Sequence, residues 1–324
     1  MKLKLLILTA FLFSSIQLFA QSHSNEIGVE TDNDSYLLRG SDRYYTDGIF
    51  IYFRHALAVD SSSKLQNKVL GFEAGQKIFN PQSGSISLTR GGPADPGYID
   101  RPFAAYLYVG STLNFLYSDE SNLKLSAQIG MIGPNAYGKQ VQTWVHKTFG
   151  FYPPSGWQYQ IDNNAVLNLS VEYNRLLART TGVDVSLTSY GNLGNGFSGA
   201  GLGPLFRFGL FNQLFNSVST QSSAIKKTRK ASLHQHELFF YYKPQINYVA
   251  YDATIQGGLF TTKSPNSIEV TSDKEPFILS NQLGVAFSTM RFVFDVAAIY
   301  HTKDDKEMIQ SHQWGAITGL YRFK

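Results

Sequence analysis

The chain has 324 residues, with 28 Lys and Arg against 24 Asp and Glu, no cysteine, and 24 Phe, 19 Tyr and 3 Trp. Setting aside Lys2 and Lys4, which belong to the leader described next, leaves 26 basic residues against 24 acidic ones, a near balance that gives nucleic-acid binding no support. The lack of cysteine excludes disulfides and thiolate metal sites. No later stretch holds the roughly 18 apolar residues of a spanning helix, which leaves a large soluble β protein or an outer-membrane barrel with aromatics at its two interfaces.

Residues 1–20, MKLKLLILTAFLFSSIQLFA, place Lys2 and Lys4 before an apolar run from Leu5 to Leu12 and end on small Ala20, the layout of a secretory signal peptide cut after Ala20. Its apolar core is too short for a membrane anchor. Beyond it, period-two alternation is clean. Leu123, Leu125, Ala127 and Ile129 alternate with Lys124, Ser126 and Gln128; Leu167, Leu169, Val171 and Tyr173 alternate with Asn168, Ser170, Glu172 and Asn174; Val183, Val185 and Leu187 alternate with Asp184, Ser186 and Thr188. Phe292, Phe294, Val296, Ala298 and Tyr300 share one face nearer the C-terminus.

Such runs predict strands at 26–32, 48–57, 67–78, 103–116, 121–131, 164–174, 181–190, 203–213, 236–252, 276–288, 290–302 and 313–323, with turns at Asp60 to Ser63 and from Asn192 to Gly203. The even count suits a closed, all-β, antiparallel transmembrane barrel of about 12 strands, since closure removes exposed edges. Pro244 lacks the N–H a ladder needs, which predicts a bulge or a strand end there. No linker or repeat divides residues 21–324, so one domain is expected.

Three polar clusters exceed what a structural barrel requires. Thr31-Asp-Asn-Asp-Ser35 offers carboxylate and amide oxygens suited to a hard cation, and is equally the composition of an Asx turn. Ser41-Asp-Arg-Tyr-Tyr-Thr-Asp-Gly48 precedes a strand; in it Thr46 could orient a ligand, and Gly48 permits a bulge or close approach. Gly133-Pro134 stops the fifth strand and a short helix near 138–149 follows, carrying Gln142 and His146 on one face at i, i+4. Imidazole accepts and releases a proton near neutral pH, which makes His146 the best general-base candidate. The other histidines, at 23, 55, 234, 236, 301 and 312, lie near termini or expected strand ends without comparable polar company.

In this order the clusters resemble the outer-membrane lipid A 3'-O-deacylase (LpxR) family. The matching segments are Asn33-Asp34, Asp42-Arg-Tyr-Tyr-Thr-Asp-Gly48, and Ile132-Gly-Pro134 with Gln142 and His146. Gln76 to Pro81, Asp100 to Ala104, Trp157-Gln158 with Gln160-Ile161, and Thr254 to Gly257 extend the resemblance over most of the chain. The resemblance implies a twelve-stranded barrel in a Gram-negative outer membrane and Ca2+-dependent hydrolysis of the 3'-acyloxyacyl ester of lipid A in lipopolysaccharide. It implies His146 as the base, Asp34 as the Ca2+ ligand, Asn33 and Thr46 as shaping the site, and Gln142 as supporting the helix face. Where the family has a lysine after the third strand, the loop from Pro81 to Tyr98 offers Arg90; where it has a glutamate followed by a tyrosine past the helix, only Tyr152 is available. Both are expected as substrate contacts. No serine or cysteine nucleophile is required. Two other readings stay open: a non-enzymatic pore or scaffold barrel, and a secreted ligand-binding β-sandwich. A barrel of this size need not oligomerise.

Overall fold

In the computed structural model, residues 23–38, 42–60, 63–82, 99–221, 224–226, 230–261, 263 and 265–324 are described. The expected leader and Arg90 lie outside them. Twelve strands run β1 Asn25–Asn33, β2 Tyr44–Ala56, β3 Leu65–Asn80, β4 Ala104–Tyr117, β5 Ser121–Ile132, β6 Asn164–Arg179, β7 Val183–Gly194, β8 Phe197–Leu210, β9 Glu237–Asp252, β10 Phe277–Ser288, β11 Phe292–His301 and β12 His312–Phe323. Each pairs antiparallel with its sequence neighbour, and β1 pairs with β12 from Asn25↔Phe323 to Asn33↔Gly315, closing the cylinder. None of the described helices is long and apolar enough to cross a membrane.

The alternation read in the sequence sets the wall. Ile129, Leu167, Leu169, Val171, Phe294 and Val296 stand exposed on the outside, while Asn114, Asn122, Asn168, Asp184 and Ser186 are buried inside. The apolar stripe therefore faces outward, the reverse of a soluble sandwich and the arrangement of a lipid-facing barrel.

Two stretches differ from expectation. Asn192 to Gly203 is not a long turn: β7 reaches Gly194, β8 starts at Phe197, and Asn195-Gly196 make a two-residue hairpin. The glycines there hide the strand, because closely packed neighbours leave no room for side chains; a Cβ on Gly201 would meet Tyr190 at 2.4 Å, and one on Gly203 the Pro244 carbonyl oxygen at 1.9 Å. Pro244 ends no strand. It keeps register with Asn281 of β10, while the β8–β9 ladder lapses between the Leu202↔Ile246 and Phe206↔Tyr242 pairs.

An up-and-down meander sends the connections after odd-numbered strands to one rim and those after even-numbered strands to the other. The second rim carries an unanticipated strap between β8 and β9. Phe215 packs with Ala56, Val69 and Leu116 of the facing wall. Asn114 and Asn67 donate to the carbonyls of Thr220 and Ala224, each at 2.8 Å, and Glu237 accepts from Ser217 at 2.7 Å. The strap thus crosses the mouth from β9 to β2, β3 and β4.

Candidate active site

The connections β1–β2 and β5–β6 share the first rim but start four strands apart, so the latter must lean back along the wall. It does so through helix α1, Gly138–Phe149. Gly133 (φ 104°) turns the chain as β5 ends, and its N–H donates to Ala105 C=O at 3.1 Å. Gln76 of β3 donates to Ala136 C=O at 2.6 Å. At Gly138 a Cβ would lie 2.5 Å from Ala105 Cβ and 2.7 Å from the Trp157 ring, so glycine is what lets the helix seat against β4. Below, Ile78, Ile99, Phe103, Ala105, Ala136 and Trp157 form an apolar cluster.

Seating the helix this way buries Gln142 and His146. Both side chains meet Asp42, from the β1–β2 connection. His146 Nε2 lies 2.7 Å from Asp42 Oδ2, Gln142 Nε2 donates to the same oxygen at 3.0 Å, and the Tyr152 hydroxyl donates to it at 2.7 Å. His146 Nδ1 faces the Tyr152 carbonyl oxygen at 2.5 Å. A carbonyl oxygen can only accept, so Nδ1 carries a proton, and Nε2 is the nitrogen that faces the Asp42 carboxyl. Gln142 is held by its other end, its Oε1 accepting from Trp157 Nε1 at 2.7 Å. Burial, with Asp42 alongside, pushes the Tyr152 phenol upward, so it stays a donor.

The first cluster divides. Asp32 still belongs to β1 and turns inward, accepting from the Tyr45 hydroxyl at 2.6 Å. Asn33 caps a 3-10 turn, Asp34–Leu37, its Oδ1 accepting from Ser35 N–H at 2.8 Å, while its amide donates to Asp47. Ser35 Oγ donates to Asn33 Oδ1. Asp34 is buried under Arg43, whose N–H donates to its Oδ2 at 3.0 Å. Burial, with Asp42 and Asp47 close by, raises its carboxyl to about 8, against the lowering effect of the Arg43 N–H. Asp34 thus lies within electrostatic reach of Asp42. Thr46 does not join them directly: it sits at a bulge between Tyr45 and Asp47, fully buried, with its hydroxyl engaged by Asn80 at 3.2 Å and by Tyr44 C=O at 3.4 Å.

Among the described residues, no three His, Cys, Asp or Glu side chains converge closely enough to hold a metal by themselves. The donors nonetheless suit one kind of ion. Asp34, Asp42 and Asp47 put three carboxylates in one electrostatic neighbourhood, and Asp34 shares its burial with like charge. Oxygen donors of this sort fit a hard cation such as Ca2+, which completes its shell with carbonyls and water.

Asp42 and Trp157 were visible as motif letters without an assigned role. A buried imidazole needs polar partners for both ring nitrogens, and that requirement points to an acidic residue such as Asp42. The remaining histidines include one surprise. His301 and His312 pair across β11 and β12 with ring centroids 5.4 Å apart; Trp314 and Tyr44 pack against them, and the Asp304 carboxylate lies near enough to act on both rings electrostatically.

Comparison with known proteins supplies an independent line. The family model described as "Outer membrane protein LpxR" matches residues 5–323. Among solved structures, LpxR from Salmonella typhimurium superposes with a TM-score of 0.72 at 21% identity, covering 92% of this chain and 100% of that one. The β domain of the Bordetella autotransporter BrkA (TM-score 0.43, 10% identity, 94% and 100% covered) and the KdgM porin (TM-score 0.41, 7% identity, 92% and 99% covered) are too different in shape to bear on function. No curated protein matches the chain in sequence.

Proposed function

The chain belongs to the LpxR family of outer-membrane proteins, and from that premise we propose that it hydrolyses the 3'-acyloxyacyl ester of lipid A at the outer leaflet. The observation that carries this reading is the meeting of His146, from the helix after β5, with Asp42, from the loop after β1, within electrostatic reach of the buried Asp34 carboxyl.

The chemistry follows from what these groups can exchange. Water reaches Nε2 beside Asp42, and the imidazole removes its proton as the oxygen attacks the ester carbonyl. The proton then sits on Nε2, where the arrangement seen here stabilises it against Asp42. Collapse of the tetrahedral intermediate breaks the acyl–oxygen bond, and Nε2 returns the proton to the departing sugar oxygen. Fatty acid and free hydroxyl result, with no covalent enzyme intermediate. The Nδ1–H bond to Tyr152 C=O fixes the ring so that Nε2 is the working nitrogen. Gln142 and Trp157 hold Asp42 against the helix. Ca2+ on Asp34 would supply positive charge for the oxyanion.

The test is mass spectrometry of lipid A from a Gram-negative host with and without this chain. Loss of the 3'-linked acyl mass upon expression supports the reading, and an unchanged profile with folded protein in the membrane opposes it. The strap across the opposite mouth lends the open-pore alternative no support.

A further inference from the structure

Helix α1 ends in a Schellman-type turn. Gly150 adopts φ 75°, and the Phe151 N–H donates to His146 C=O at 2.8 Å. In such endings the residue after the glycine packs on the side chain three positions before the cap. Here those residues are Phe151 and His146, whose rings meet edge to face with centroids 5.6 Å apart. Phe149 stacks on Phe151 at 6.1 Å. The turn explains why Phe151 touches the imidazole. It does not explain why two phenylalanines stand 67% and 59% exposed beside a side chain that is 3% exposed.

The site is therefore two-sided: carboxylates, amide and phenol on one flank of His146, and bare aromatic surface on the other. We propose that Phe149 and Phe151 form an acyl-binding wall that receives the hydrocarbon chain of the ester being cleaved. This rests on the hydrolase reading above. With the ester carbonyl at Nε2, the first acyl carbons pass the Phe151 edge and the next lie along Phe149. Neither ring offers a hydrogen-bonding atom, so the wall reads chain length and not head chemistry. Each methylene laid on it favours binding, by about fourfold where burial is complete.

The experiment uses the full chain, refolded in detergent and checked for heat-modifiable migration, with lipid A analogues that differ only in the length of the 3'-linked acyl chain. For the wild type, KM falls as that chain lengthens. For Phe149→Ser/Phe151→Ser, KM for the long chain rises on the order of tenfold while kcat moves far less, flattening the length dependence; Phe149→Leu/Phe151→Leu restores it. An unaltered ratio of KM values between short and long chains overturns the proposal. So does a loss equal for both lengths and confined to vesicles, which would assign the pair to the bilayer surface. A diazirine-bearing tetradecanoic acid gives a readout without turnover: photolabel on the peptide containing Phe149 and Phe151, lost in the double serine variant, supports the wall, and equal labelling of both proteins refutes it. Failure of the hydrolase reading is distinguishable, because wild type would then take the label yet release no acid.

Discussion

His146 Nε2 lies 2.7 Å from Asp42 Oδ2 while Nδ1 faces the Tyr152 carbonyl oxygen, so the only ring nitrogen able to exchange a proton with substrate is the one the carboxylate covers. In the proposed reaction, proton abstraction charges this pair, and Asp42 Oδ2 also accepts from Gln142 and Tyr152. Asp42→Asn keeps the shape and removes the charge. Steady-state hydrolysis of defined lipid A should show kcat reduced by roughly tenfold to a hundredfold, with KM little changed. Unreduced turnover would make Asp42 a spectator.

Gln142 links that carboxylate to the buried Trp157 indole. Gln142→Leu leaves the indole N–H without its acceptor, which costs on the order of 1–3 kcal/mol. Urea unfolding in lipid vesicles, followed by tryptophan fluorescence, should show the loss together with lower kcat. Full stability would mean that the indole finds another partner.

Gly138 sets the depth of the helix against β4. Gly138→Val forces Ala105 and Trp157 apart and lifts His146 from Asp42. A displacement near 1 Å at a reacting group can cost about a hundredfold, so activity should collapse while the barrel still migrates as a folded, heat-modifiable species. Retained activity would show that the helix seats independently of this contact.

Much of this was legible in the sequence, and the parts that were not have identifiable causes. All twelve strands announce themselves where one face must be apolar and the other wet, as from Leu123 to Ile129. The hairpin at Asn195-Gly196 does not, because glycine carries no side chain to alternate. Gln142 and His146 show their shared face by spacing alone. Asp42 stays hidden since its role depends on a helix one hundred residues later in the chain folding back onto it, and the strap between β8 and β9 shows no periodicity because it gains its contacts from opposite walls. Asp32 and Asp34 look alike as letters; the end of β1 between them sends one into the lumen and the other to the Arg43 N–H near Asp42 and Asp47.

Burial and neighbouring carboxylates raise Asp34 to about 8. A cation must displace that proton, so Ca2+ affinity should strengthen as pH rises toward 8, by up to about tenfold per unit, and level off above it. The sign follows from the protonated form prevailing below that value. Titration calorimetry at several pH values measures the slope, and Asp34→Asn should abolish it along with most of the binding. Affinity that weakens as pH rises, or survives in Asp34→Asn, would move the ion elsewhere.

In the proposed reaction His146 directs water onto the acyl carbonyl of lipid A. Hydrolysis in 18O-water by the purified chain, with Ca2+ present, tests it most directly. Wild type should release fatty acid bearing one 18O from solvent and leave the lipid A hydroxyl unlabelled, while a folded His146→Ala variant releases almost none. Equal release from His146→Ala, or 18O in the sugar hydroxyl in place of the acid, would contradict the account.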